Sequence, residues 1–144
     1  MGLFNKFKKA DTKISNEELL KKHQNGEISD TEFIKEFGKA NVFYTTPFGD
    51  HKDGSKKLFI LPCRENVGYN PVFSSKERMR EFYEKSGRAA YMIIENTFAS
   101  FLEVTQKTNE GNTPIKMGVI IDPGVYGITL EIEFLQTAIK LAKS

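Results

Sequence analysis

Chemistry in this chain would have to come from very few groups. His23 and His51 are its two imidazoles and Cys63 its one thiol among 144 residues. A thiol nucleophile needs a neighbouring base and a third group to orient that base. Only Cys63 with His51 offers such a pairing, across a long loop of unknown register, and a lone cysteine at a strand end reads as a small apolar residue. His23 falls within a polar helical segment. The loop Gly49-Asp50-His51-Lys52-Asp53-Gly54 places oxygen donors near one another as a calcium loop does, but Lys52 interrupts the acidic positions and no glutamate closes the set. It reads as a polar turn. The chain has no Gly-x-Ser-x-Gly elbow, no glycine-rich phosphate loop and no paired metal-ligand spacing. Carboxylates such as Glu95 and Glu131 are explained by solvated faces. The expectation is a non-enzymatic chain with no catalytic residue, metal or cofactor.

Charge narrows the partners. The net charge of +2 is unevenly spread: Lys6, Lys8, Lys9 and Lys13 against Asp11 give the first 13 residues +3, and the remainder carries 17 basic and 18 acidic side chains. A neutral body with interspersed signs lacks the basic footprint that phosphate neutralisation requires, so nucleic acid is not an expected partner. No run approaches the roughly 20 apolar residues of a membrane span, and the start lacks the apolar core of an export signal. Met1-Gly2-Leu3-Phe4-Asn5-Lys6 has Lys6 where myristoylation wants Ser or Thr. Residues 3–9 mix apolar and basic side chains and offer at most a weak contact with an anionic membrane surface. With one cysteine no internal disulfide can form, which fits a reducing cytoplasm.

The elements that must position these groups are marked by their ends. Ser15 with Glu18 and Ser29 with Glu32 are capping boxes, and Gly26 and Gly38 stand where helices close in the left-handed conformation, which predicts a helical pair over 15–25 and 29–37. The first helix, with Leu19 and Leu20 as its clear apolar residues, reads as a loosely attached arm. Residues 42–46 and 57–61 are strand-like and separated by a long loop, which predicts a hairpin. A strand over 69–73 precedes a helix over 75–86, capped by Ser74 with Glu77 and ended by Gly87. The continuous apolar run 89–94 predicts a central strand covered on both faces. Phe98, Phe101 and Leu102 give 97–106 a helical stripe, 117–121 is a buried strand stopped by Asp122-Pro123-Gly124, and Ile132, Leu135, Ile139 and Ala142 mark a last helix over 130–142. These patterns predict an α+β fold: a mixed four- or five-stranded sheet, partly parallel, with packed helices and the helical pair in front. Residues 1–14 form a basic arm and 15–144 a single domain.

Two blocks, Pro71-Val72-Phe73-Ser74-Ser75-Lys76-Glu77-Arg78 and Gly118-Val119-Ile120-Ile121-Asp122-Pro123-Gly124, the second leading into an amphipathic helix, resemble the N-terminal domain of the SseB family over roughly residues 29–144. Asp122 stands where the family pattern more often has Asn. The resemblance implies a compact α+β fold in bacterial cytoplasm and implies no reaction. The favoured function is therefore a protein-interaction or regulatory module with a protein partner, contacting it through the loop Asp122–Gly127 (Asp122, Pro123, Gly124, Tyr126) and the adjoining Pro71–Ser74 segment with Phe73. The alternative is a small-molecule binder or weak enzyme with a pocket at the carboxyl ends of the parallel strands, lined by Asp122, Tyr126 and Arg64.

Overall fold

The computed structural model describes residues 15–50, 56–58, 60–88, 91–111 and 115–144. The basic arm 1–14, its segment 3–9, and His51 with the rest of its loop to Gly54 lie outside them. The described elements are α1 (Asn16–Gln24), α2 (Asp30–Phe37), β1 (Asn41–Tyr44), β2 (Phe48–Asp50), β3 (Lys56–Leu58), β4 (Leu61–Arg64), β5 (Val67–Val72), α3 (Lys76–Lys85), β6 (Ile94–Thr97), α4 (Phe98–Glu110), β7 (Lys116–Ile121), β8 (Ile128–Leu130), a 3-10 turn (Ile132–Phe134) and α5 (Leu135–Ala142).

The fold is α+β, and its centre is a mixed four-stranded sheet of order β4-β5-β7-β8. β5 and β7 are parallel, with Val67 opposite Lys116 and Val72 opposite Ile121. β4 and β8 flank them antiparallel. A parallel pair needs a crossover, and α3, β6 and α4 supply it. β7 is buried along its length from Met117 to Ile121, as a strand covered on both faces should be. Val119 and Ile121 enter one core with Phe98, Phe101 and Leu102 of α4, Leu135 and Ala138 of α5, and Phe33, Ile34 and Phe37 of α2. The side-chain amide of Asn109 docks the end of α4 by bonding both the N–H and the C=O of Met117 at 2.8 Å.

Four expectations need correction. The run 89–94 is not a central strand: its described part, 91–93, is irregular, and Ile94–Thr97 pairs with β1 in a separate two-stranded ribbon. The run is apolar because Tyr91 and Ile93 pack on a satellite cluster of Phe73, Met79 and Tyr83, while Met92 is 73% exposed. The hairpin of 42–46 with 57–61 is not formed either. β2 pairs with β3, and β1 pairs with β6 from Asn41–Thr97 to Tyr44–Ile94. Pro47 separates β1 from β2, and β1 packs inward, the Tyr44 ring 4.7 Å from Phe101. A bridge of two backbone hydrogen bonds between Phe43 and Phe73 ties the ribbon to the end of β5.

Gly26 does close α1 with φ +74°, but Gly38 stays right-handed at φ −57°. Gly38 serves close packing instead. A Cβ there would sit 2.6 Å from the Cβ of Ala142, so the glycine lets α5 approach the end of α2. Finally, α1 is not a loose arm. Leu19 and Leu20 are 5% and 0% exposed, in the same core as the sheet.

Candidate functional site

The two blocks singled out in the sequence meet where β5 and β7 end. Asp122 follows β7, and its N–H donates to Val72 O at 2.8 Å, extending the pairing one residue past the strands. It then turns left-handed, φ +50°, a conformation aspartate tolerates better than most residues. Its carbonyl accepts the N–H groups of Val125, Tyr126 and Gly127 at 3.0–3.1 Å.

The side chain of Asp122 is wholly buried, and a buried carboxylate must be bonded on both oxygens to persist. Oδ1 accepts the Ser74 N–H at 2.9 Å. Oδ2 accepts the Ser74 hydroxyl at 2.7 Å and Arg78 Nη1 at 3.1 Å. Thus Ser74 does not cap α3. Ser75 does, accepting from the Arg78 N–H, and this frees Ser74 to hold the aspartate. The capping expectation was one residue off because Ser74 and Ser75 are adjacent and chemically alike.

Arg78 carries the network outward to α1. Its guanidinium meets Glu17 at 3.0 Å and lies 5.3 Å from the centre of the Tyr126 ring, while the Tyr126 hydroxyl donates to the same carboxylate. The Arg78 hydrogen bond, then the Tyr126 one, holds Glu17 below the usual glutamate range, and Glu17 in turn raises Arg78. Burial, then the Glu17 bond, pushes the Tyr126 phenol up. Nothing in the composition of α1 marked Glu17 as part of this site. Its only sequence signal was its place in a capped first turn, where acidic residues are common anyway.

Pro71, Phe73, Asp122 and Pro123 are buried, Gly124 is exposed and Tyr126 is half-buried. Arg64 stands apart. It pairs with Val67 at the beginning of β5, whereas Asp122 is bonded to the end, about 16 Å away along the strand. The pocket expected between Asp122, Tyr126 and Arg64 therefore does not bring its three residues together. Arg64 instead makes an ion pair with Glu133 and lies 3.9 Å from Glu131. Glu131 also accepts the Tyr69 hydroxyl at 2.7 Å and lies 3.9 Å from the Cys63 sulfur. Hydrogen bonding to Cys63 and Glu131 raises the Tyr69 phenol above its ordinary value. Among the described residues no group of three or more His, Cys, Asp or Glu is placed to hold a metal.

A concave region lies between α2 and β8. It is a cleft of about 220 Å³ lined by His23, Asp30, Phe33, Ile34, Phe134 and residues 128–131. His23 Nε2 is 2.7 Å from Asp30 Oδ1, and its ring lies 4.6 Å from that of Phe33.

No curated protein and no solved structure matches this chain. The family model described as the SseB protein N-terminal domain matches residues 17–137, from the first turn of α1 to the first turn of α5, and so takes in every member of the Asp122 network. The chain belongs to the SseB N-terminal domain family.

Proposed function

We propose that this domain is a non-enzymatic protein-interaction module of the cytoplasm that presents the turn after Asp122 to a partner protein. The observation that carries this reading is Val125. An apolar side chain, 51% exposed, rides on a turn whose backbone is bonded to the Asp122 carbonyl at three successive N–H groups. Rigid display of an apolar group lowers the entropy lost on binding. The polar groups at the base of the turn are already engaged with one another, as suits a support for contact rather than a centre for reaction. No described helix is long and apolar enough to cross a membrane.

Affinity capture with the tagged full chain tests this. A stoichiometric partner from the native lysate is expected to survive Val104→Glu, which charges an equally exposed valine on α4, and to be lost with Val125→Glu. Retention of the partner by Val125→Glu would remove the turn from the interface.

A further inference from the structure

The cleft between α2 and β8 is built differently from the Asp122 network. β8 is the last strand of the central sheet, so its outer edge has no partner among the described strands. Side chains alternate between the two faces of a strand. Ile128 and Leu130 point into the core, and Thr129 is exposed, yet Ile128, Thr129, Leu130 and Glu131 all line the cleft. A cleft that touches three consecutive strand residues follows the strand's edge rather than one of its faces.

The rim is acidic, with three carboxylates and one guanidinium. Asp30 is 82% exposed on one side, and Glu131 and Glu133 share the single guanidinium of Arg64 on the other. With Nε2 of His23 donating to Asp30, neutral imidazole leaves Nδ1 as a bare acceptor. That atom is buried and has no hydrogen-bond partner.

We propose that this cleft takes an extended basic segment of a partner protein, which adds to the edge of β8 as a further strand and seats one lysine or arginine side chain beside His23 and Asp30. The aliphatic stem of such a side chain lies over Phe33, Ile34 and Phe134, and its head donates to the exposed Asp30 carboxylate. A second copy of this chain fits worse, because β8 against β8 would bring two acidic rims together. The surface is distinct from the Val125 turn.

The probe is a fluorescent ten-residue peptide alternating valine with arginine or lysine, titrated into the full chain and followed by amide NMR shifts. Saturable shifts are expected at residues 23, 30, 33–34 and 128–134. Asp30→Asn is expected to weaken binding about fivefold, the scale of one exposed charge pair, and Val104→Glu, on the exposed side of α4, to leave it unchanged. N-methylation of one set of alternate peptide amides is expected to abolish binding and of the other set to spare it, as strand addition requires. The proposal is overturned by the absence of saturable shifts or by shifts elsewhere. Equal binding of the glutamate-for-arginine peptide, indifference to both methylation patterns, or self-association of the chain through β8 in sedimentation would also overturn it.

Discussion

Asp122 and His23 are both polar groups set against an apolar core, yet they stand in opposite conditions. The oxygens of Asp122 take hydrogen bonds from Ser74 and Arg78 and its charge is matched by Arg78, which also pairs with Glu17, whereas His23 keeps one ring nitrogen buried and unbonded beside an open cleft. A buried polar group without a partner costs about 1–3 kcal/mol, so a fold retains few of them without use. The two conditions mark two uses of polarity. The charged residues around Asp122 tie α1, α3 and the sheet together, and the cleft beside His23 has room for something else.

Breaking the satisfied region should cost most. Asp122→Ala leaves the Ser74 N–H and hydroxyl without their acceptor and Arg78 with Glu17 alone, and unfolding in denaturant is expected to show a loss of about 3–5 kcal/mol, the scale of a broken buried ion pair. Asp122→Asn keeps the side chain's shape and one acceptor oxygen and should lose less. Leu20→Ala is expected to cost about 3 kcal/mol in the same assay, because α1 belongs to the core. A cost near zero would restore α1 to the status of a loose arm.

Glu17 gives a smaller effect with a defined pH dependence. Its folded value lies below the ordinary 4.5, so the stability it supplies is present above about pH 5 and is lost as the pH falls through 4.5 toward that lower value. Its side chain is 43% exposed, and solvent screening limits the contribution to about 1 kcal/mol or less. Glu17→Gln should flatten this part of the stability profile between about pH 3 and 5. Smallest of all, Asp30→Asn and Val125→Glu should each change stability by less than about 0.5 kcal/mol while altering what the chain binds. A large loss of stability from Asp30→Asn would place the cleft with the structural region and erase the contrast.

Local signals in the sequence located most helices and the strands β5 and β7, because caps, glycine stops and apolar periodicity are short-range features. They failed where pairing is decided at a distance. Nothing near Val42 indicates that β1 will meet Ile94–Thr97 rather than its neighbour across the loop. The apolar run ending at Ile94 looked central because burial in a satellite cluster and burial in the sheet leave the same pattern in the chain. β8 is three residues long, too short to show a strand pattern, and only its last residue, Leu130, overlaps the helix predicted over 130–142. At the candidate site, Asp122, Pro123, Gly124 and Tyr126 were legible from turn chemistry, but Ser74 read as a helix cap, Arg78 entered only through a resemblance, and Glu17 joins from 61 residues before Arg78. His23 was set aside as a residue of a polar helix. Its face toward Phe33 is fixed by the turn between α1 and α2, which periodicity within α1 alone does not reveal.

The burial of α1 and α2 against β7, β8 and α5 constrains how the polypeptide matures on the ribosome. Leu20, Phe33 and Phe37 emerge well before the surfaces that cover them, including Val119, Leu130 and Leu135, which follow roughly 100 residues later. At about 5–20 residues per second the early helices wait several seconds with their apolar faces uncovered, a window in which a chaperone that grips nascent chains competes with aggregation.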